Sequence, residues 1–415
     1  MIPALRRKLG SFASASLLLM VSMTVVNAGN YVYNLIMGRW LGPALFADIS
    51  LVVTLLLVIT FITVPLQMTA ARYAALSSAD GDPAALASVR RWLTWVALLI
   101  GAGLAALFAL GAPLWSTFFH TASVLPFILF GVALPFNFVQ GVNRGILQGQ
   151  MRFTTLAITY QVEMWSRLLF GVLLVWAGLS VNGAVLGISL SFIVTWLSTL
   201  PARRDLPPAE RLEADVRRAA ARFIFPVLVA QIGQILINNS DILLVRRYYP
   251  AGAAGRYAAL ALIGRVVFFA TWSVVTTMFP IVTQKHKKGE PYRHLFWLSL
   301  AVVGGISAAV TLLTLAFPEW IVRLLFGDKY LAIAPLLWLY ALATTLYSLA
   351  NVVINYRLSL GRGRETGFAI AAGVAQVAGI ILFHATLAEV VWVQVAVMGA
   401  LFVILFGRNL GQKHV

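Results

Sequence analysis

The sequence contains no cysteine, few histidines and few charged residues. Without a thiol, the chain forms no disulfide, no thiolate metal site and no cysteine nucleophile. Its five histidines lie at predicted span ends or in loops, without metal-ligand spacing. No glycine-rich nucleotide loop with its lysine occurs. We therefore expect no metal, no cofactor and no catalytic residue, and we do not expect the protein itself to hydrolyse ATP.

Apolar residues are what the sequence has in excess. They make up 60% of the 415 residues, while charged residues make up only 11%. Soluble domains are about half apolar and a quarter charged. The apolar runs are continuous over roughly 20–30 residues, whereas barrel strands would be ~10 residues with alternating polarity. This pattern predicts an all-α membrane protein, because helices satisfy their own backbone hydrogen bonds in lipid.

The apolar runs predict about twelve transmembrane helices. We place them at 11–38, 45–76, 91–113, 122–147, 152–178, 182–200, 219–246, 254–284, 293–317, 330–357, 364–387 and 389–407. Of the 31 lysines and arginines, 23 fall on the side of both termini, 6 on the other side and two inside spans. This asymmetry predicts that both termini are cytoplasmic. It also accounts for the net charge of +17 without a nucleic-acid partner.

Two halves of the chain resemble each other. The first span ends in Asn34–Arg39 followed by Pro43, and the seventh ends in Asp241–Arg246 followed by Pro250, at a constant offset of 207. The pattern predicts two parallel-repeat six-helix lobes around a central cavity, as in alternating-access transporters. The predicted divisions are an N-terminal lobe, a cytoplasmic linker and a C-terminal lobe at 1–200, 201–218 and 219–415.

Four charged residues stand out within the predicted spans, since an ionisable group at the bilayer centre costs ~2.5–3.5 kcal/mol and marks a functional position. Glu163 and Arg167 are four residues apart on one helix face near the midplane. They form either a self-neutralising structural pair or a phosphate-binding arginine with its resting partner. Arg265 fits a cavity or an interhelical role. Asp241 fits ion coupling, or a structural role such as capping or pairing near Arg246.

Polar side chains form matching stripes on the first and seventh spans. Both stripes have helical spacing of three and four residues, and they comprise Asn27, Asn30 and Asn34, and Gln231, Gln234, Asn238 and Asp241. Polar side chains in membranes often only join helices, at ~0.6 kcal/mol each. Their repeat-related places favour a shared binding surface, which gives Asn30, Asn34, Gln231 and Asn238 as candidate substrate-binding residues beside Glu163, Arg167 and Arg265.

Several motifs in order resemble those of the polysaccharide transporter family, the Wzx-type O-antigen and exopolysaccharide flippases of the multidrug/oligosaccharidyl-lipid/polysaccharide superfamily. They are NYVYN at 30–34, RWLGP at 39–43, RGILQGQMRF at 144–153, NNSD at 238–241, GRYAA at 255–259 and GR at 264–265. The resemblance covers nearly the whole chain. It implies an undecaprenyl-pyrophosphate-linked oligosaccharide as cargo, moved across the bacterial inner membrane to the outer leaflet. Membrane lipids, a glycan polymerase and glycosyltransferases are the partners it suggests.

Other functions compete with this interpretation. A cation-coupled drug or metabolite exporter of the same superfamily would favour an acidic cavity, whereas this chain offers two acids and two arginines at depth. A membrane glycan polymerase or ligase needs a large outer loop, and no predicted outer loop exceeds about a dozen residues. A non-transporting assembly scaffold would leave the buried charges unexplained.

Overall fold

The computed structural model describes residues 2–200, 207–208, 212–361 and 365–410, so most of the predicted linker lies outside the described residues. The described part is nearly all helical and contains no β-strand. Its α-helices are α1 (Ile2–Asp80), α2 (Pro83–Leu110), α3 (Ala112–Phe119), α4 (Leu125–Gly149), α5 (Phe153–Leu174), α6 (Ser180–Ser198), α7 (Ala214–Tyr248), α8 (Ala251–Gly264), α9 (Val266–Lys288), α10 (Arg293–Ala316), α11 (Pro318–Leu325), α12 (Leu337–Ser359), α13 (Glu365–Leu382) and α14 (Leu387–Leu410). The all-α prediction is confirmed.

Ten helices among the described residues are long and apolar enough to cross a membrane. Two of them, Leu18–Asp80 and Phe153–Ser198, contain 63 and 46 residues. At 1.5 Å per residue, each is long enough to cross a hydrocarbon core of ~30 Å twice. The first is kinked at Gly42, whose φ is 75°, and the second at Gly178, whose φ is 91°. Two extra crossings bring ten helices to the predicted twelve.

The chain divides into two compact units. The first contains residues 1–41 and 55–229, and the second contains 42–54 and 230–415. The segment that follows the Gly42 kink therefore belongs with the C-terminal half. All three boundaries fall inside helices, two of them within α1 at 41/42 and 54/55 and one within α7 at 229/230, whereas the lobes at 1–200 and 219–415 stay a prediction.

Glycines allow close helix packing in the first unit. α2 packs on α4, and α5 packs on α6. A Cβ on Gly187 would lie 2.5 Å from the backbone nitrogen of Gly171, so α5 and α6 meet backbone to backbone. Such small-residue contacts are typical of membrane helices, because packing rather than hydrophobicity holds them together. They fix α5, which carries two of the predicted charges.

The second unit is built around α12, which packs against α9, α10 and α14. Its buried core includes Val282, Phe296, Tyr356 and Leu405. The predicted eighth span, 254–284, comprises α8, which ends at Gly264, and α9, which begins at Val266, and Arg265 between them keeps helical dihedral angles of φ −65° and ψ −13°. Arg265 is one of the predicted residues.

Two short helices were not predicted. α3 follows α2 and α11 follows α10, each after a single connecting residue. Both start near a proline that precedes a tryptophan by two positions, in Pro113-Leu-Trp115 and Pro318-Glu-Trp320. The same short helix therefore recurs at the same place in both halves, which extends the repeat.

Candidate functional site

An acidic side chain lies between two arginines in the first unit. Glu163 on α5 contacts Arg167 one turn later at 2.6 Å, through its Oε1. Its Oε2 contacts Arg144 on α4 at 2.7 Å. The side chain of Glu163 is only 18% exposed. The predicted Glu163–Arg167 pair is confirmed as a contact, but it is part of a three-residue cluster.

Arg144 is held on every side. Its Nε donates to the hydroxyl of Thr159 at 3.1 Å and its Nη2 to the carbonyl oxygen of Thr159 at 2.8 Å. Its guanidinium also lies 4.0 Å from the ring centroid of Tyr160, within cation–π range. Gln140, one turn earlier on α4, adds a bond to Glu163 at 3.4 Å. Arg144 and Glu163 are thus fixed relative to each other.

Arg167 is held more loosely. Beyond Glu163 its one hydrogen-bond partner among the described residues is Asn30 on α1, whose Oδ1 accepts from Nη1 at 3.0 Å. Its Nε is buried and has no hydrogen-bond partner in that part of the chain. An unsatisfied charged donor in a buried place is costly. Arg167 therefore has donor capacity that a ligand would satisfy.

The cluster carries a surplus positive charge. Two guanidiniums face one carboxylate, and no other Asp or Glu of the described residues pairs with either arginine. If Arg167 moves onto a ligand, Arg144 and Glu163 remain as a balanced pair. Removing the sole partner of a buried charge costs ~3–5 kcal/mol, and this arrangement avoids that cost. The cluster is suited to an anion.

A second charged cluster lies in the second unit. The carboxylate of Asp241 on α7 contacts Arg265 at 3.4 Å, and Arg265 also donates to the main-chain carbonyl of Asn238. The other carboxylate oxygen of Asp241 accepts from Tyr257 at 3.1 Å and from Tyr340 at 2.9 Å. Asp241 is 1% exposed. The structure thus brings together three predicted residues, Asn238, Asp241 and Arg265, and pairs Arg265 with Asp241.

A small cavity of about 20 Å³ opens beside this cluster. Its polar lining includes Asn238, Arg265, Tyr340, Tyr347, Gln376 and Gln394. These side chains come from α7, α12, α13 and α14 and from the residue between α8 and α9. Sequence patterns give no indication of such a pocket, because its residues are far apart along the chain.

Two further buried ion pairs involve arginines at the ends of predicted spans, where we count them for topology alone. Arg246 donates to Asp48 at 2.7 Å, and Arg357 lies 2.6 Å from Glu365. Arg144 is the third such residue. All three lie buried within helices, so each makes contacts beyond the topological role for which it was counted. The alternative pairing of Asp241 with Arg246 is also wrong, since Asp241 pairs with Arg265.

The remaining predicted residues lie near the clusters without joining them by a side-chain bond to a charged group. Asn34 donates to the carbonyl oxygen of Asn30 at 2.8 Å, on the same helix. Asn238 donates to the carbonyl oxygen of Gln234 at 2.9 Å. Gln231 is half-buried two turns before Asn238. The functional roles of these residues stay predictions.

One missed residue could have been found from the sequence. Asn137, Gln140 and Arg144 follow each other at spacings of three and four on the predicted fourth span. This is the same helical spacing that singled out the first and seventh spans. The stripe would have marked Arg144 as an inward-facing residue, whereas the tyrosines around Asp241 have no such signal.

Comparisons with known proteins agree with this architecture. The family model described as "Polysaccharide biosynthesis protein" matches residues 13–286. A structure described as the inward-facing conformation of a multidrug resistance MATE family transporter of the MOP superfamily aligns with a TM-score of 0.79 at 14% identity, over 95% of this chain and 98% of that one. The lipid II flippase MurJ, inward closed conformation, aligns with a TM-score of 0.76 at 13% identity, over 95% and 88% of the two chains. No curated protein matches the chain.

The helices and these likenesses define a multi-pass membrane protein with the fold shared by MATE transporters and MurJ. At such low identities, the structural likeness establishes the fold alone. The family match covers more than half of the 415 residues. The chain therefore belongs to the polysaccharide biosynthesis protein family, which confirms the resemblance seen in its sequence.

Proposed function

We propose that the protein is a flippase that moves an undecaprenyl-pyrophosphate-linked oligosaccharide from the cytoplasmic to the outer leaflet of the bacterial inner membrane by alternating access. O-antigen or exopolysaccharide export is the process that this cargo would serve. The family supports a role in polysaccharide biosynthesis, and one structure with the same fold is described as a lipid II flippase. The observation that carries the proposal is the surplus positive charge of the Arg144–Glu163–Arg167 cluster.

Arg167 is the residue that would bind the pyrophosphate. Its planar guanidinium matches two phosphate oxygens at once, and its unsatisfied Nε supplies a further donor. Before it binds cargo, the guanidinium is held by Glu163 and Asn30. When cargo arrives, Arg144 keeps the charge of Glu163 balanced, so that Arg167 moves to the phosphate without leaving a buried acid unpaired. Arg144 is thus a positioning residue.

The exporter alternative requires an acid that can receive a cation. Asp241 is the most buried acid among the described residues of the second unit, and it already accepts from Arg265, Tyr257 and Tyr340. A coupling cation at Asp241 would first have to displace Arg265. Glu163 is similarly engaged by two arginines. These contacts favour an anionic cargo over an organic cation.

The direct test is flipping of a fluorescent polyprenyl-pyrophosphate-linked sugar in proteoliposomes of the purified protein. We expect protein-dependent flipping that Arg167→Gln reduces on the order of 100-fold, because the phosphate loses its bidentate donor. Arg218→Gln is the matched control, since Arg218 is an exposed arginine of the same unit. Absence of flipping by the wild-type protein, together with proton- or sodium-driven export of an organic cation, would favour the exporter.

The same proposal places both termini in the cytoplasm and a glycan polymerase and glycosyltransferases among the partners. The chain lacks cysteine, so single cysteines report orientation cleanly. A cysteine at Ala209, which lies outside the described residues, should react only from the cytoplasm, and one at Ala253 only from outside. Labelling of both positions from the same side would contradict the orientation.

A further inference from the structure

Three uncharged polar side chains meet beside the arginines of the first unit. They are Gln67 on α1, Gln148 on α4 and Tyr160 on α5, and we call them the neutral cluster. The amide nitrogen of Gln67 donates to the amide oxygen of Gln148 at 3.1 Å and to the hydroxyl oxygen of Tyr160 at 3.2 Å. The neutral cluster thus joins three helices of one unit.

Close packing fixes the neutral cluster in place. A Cβ on Gly145 would collide with the main-chain oxygen of Gln67, so α1 and α4 meet backbone to backbone one turn before Gln148. The ring of Tyr160 is fixed as well, because the guanidinium of Arg144 lies 4.0 Å from its centroid. A ligand would therefore meet groups whose positions are already set.

The remaining hydrogen-bonding capacity of the neutral cluster is mixed. Gln148 keeps its amide nitrogen, Tyr160 its hydroxyl proton and Gln67 its amide oxygen, since none of these groups bonds to any described residue. Gln148 is exposed, and the other two side chains are half-buried, so the neutral cluster is open to a ligand. A hydroxyl both donates and accepts, which matches two free donors beside a free acceptor.

The position of the neutral cluster follows the order of chemical groups in the proposed cargo. Gln148 lies one turn after Arg144 on α4, and Tyr160 lies seven residues before Arg167 on α5, a rise of ~10 Å. A diphosphate bound to Arg167 would bring the group attached to it towards the neutral cluster. The apolar carrier chain makes no hydrogen bonds, so the sugar is the end of the cargo that fits there.

We propose that the neutral cluster binds the first sugar ring of the cargo, through hydrogen bonds between ring hydroxyls and Gln67, Gln148 and Tyr160. The inference rests on the proposed flippase function, and it adds a sugar contact to the arginine that would bind the diphosphate. The protein would then recognise the junction of diphosphate and sugar, and would prefer a loaded carrier to a bare one.

The test compares lipids that differ only in one sugar. A short-chain polyprenyl pyrophosphate, and the same carrier with one glucose or one N-acetylglucosamine, are titrated into the purified full-length protein in nanodiscs. In the wild-type protein we expect a sugar to tighten binding about tenfold, since one or two net hydrogen bonds supply that factor. Gln148→Ala and Tyr160→Phe should each reduce this gain to about threefold or less and leave the affinity for the bare carrier within about twofold.

Both substitutions are mild for the fold. Gln148 is exposed, and Tyr160→Phe keeps the aromatic ring beside Arg144. Gln161→Ala is the matched control, because Gln161 is a half-buried glutamine of α5 whose amide nitrogen donates to Ser22 instead. This variant should keep the full gain from the sugar.

A gain that persists in both Gln148→Ala and Tyr160→Phe would overturn the inference. An equal loss of affinity for the bare and the sugar-bearing lipids in these variants would also overturn it, since the neutral cluster would then only join helices. If the wild-type protein binds all three lipids equally and loses them in Arg167→Gln, the sugar contact alone is refuted. If the wild-type protein binds none of them, the proposed function fails and the inference fails with it.

Discussion

Removal of Arg144 tests whether Arg167 has to leave Glu163 for cargo to bind. In the wild-type cluster, departure of Arg167 leaves Glu163 with Arg144 at 2.7 Å. In Arg144→Gln, the same departure leaves Glu163 with only Gln140 at 3.4 Å. Breaking a buried pair in this way costs ~3 kcal/mol at the low end of measured values. Flipping should therefore fall on the order of 100-fold, although Arg144 never touches the cargo.

A second substitution should reverse this loss. In the double variant Arg144→Gln/Glu163→Gln, Arg167 can move to the cargo without exposing an unpaired acid. The double variant also restores the cluster's surplus of one positive charge. We expect flipping within about tenfold of wild type, because a tenfold loss corresponds to only ~1.4 kcal/mol. Glu163→Gln alone should be milder than Arg144→Gln, since Arg167 stays available. The double variant Arg167→Gln/Glu163→Gln carries the same surplus of one positive charge, on Arg144. Because Arg144 is held by Thr159 and Tyr160, it cannot move to the cargo, and flipping should stay low.

The assay is flipping of the fluorescent lipid-linked sugar in proteoliposomes, normalised to the amount of protein inserted. Melting temperatures of each purified variant separate instability from loss of transport. The reasoning is refuted if Arg144→Gln flips at the wild-type rate, or if the Arg144–Glu163 double variant is no better than Arg144→Gln. A structural pair would instead show low protein levels in each single variant and recovery of protein level, not of rate per molecule, in the double variant.

Three further predictions concern packing, a second ion pair and the driving force. Gly255→Ala should lower the melting temperature strongly or prevent accumulation, because its Cβ would lie 1.7 Å from the backbone oxygen of Pro43, whereas Gly252→Ala, with 3.8 Å to its nearest neighbour, should melt like wild type. Asp48→Ala should destabilise the protein by ~3–5 kcal/mol, since Arg246 loses a buried carboxylate at 2.7 Å, and an unchanged melting temperature would contradict this. An inside-negative potential should raise the outward flipping rate, as each negative charge gains ~2.3 kcal/mol per 100 mV. A rate that responds only to a proton or sodium gradient would instead support coupling through an acid.

The fold was predictable because lipid leaves few choices. Continuous apolar runs require helices. The predicted spans end at 38 and 178 and begin again at 45 and 182, so they divide each of the two long helices close to its kink at Gly42 or Gly178. The division between α8 and α9 at Arg265 was not predictable, because the apolar run continues across it. Helix ends set by tertiary contacts leave no periodic pattern in the sequence.

The site was predictable where its residues share one helix and missed where they do not. Glu163 and Arg167 are one turn apart, so their contact follows from helical geometry. Arg144 was interpreted by its position at the end of a span, because a positive charge there usually fixes topology. Its burial depends on α4 packing beside α5, and sequence spacing does not encode which helices become neighbours.

The internal repeat explains why the two units carry charge differently. Arg144 and Arg357 occupy equivalent places in the halves, 213 residues apart. Each lies at the end of its helix and contacts a glutamate on the next long helix, Glu163 or Glu365. The halves diverge in a further arginine, because Arg167 shares Glu163, whereas Arg265 lies between α8 and α9 and is matched by Asp241. The second unit thus balances Arg265 with Asp241, whereas the first unit has one guanidinium in excess over its carboxylate, and the proposed phosphate site rests on this difference in charge.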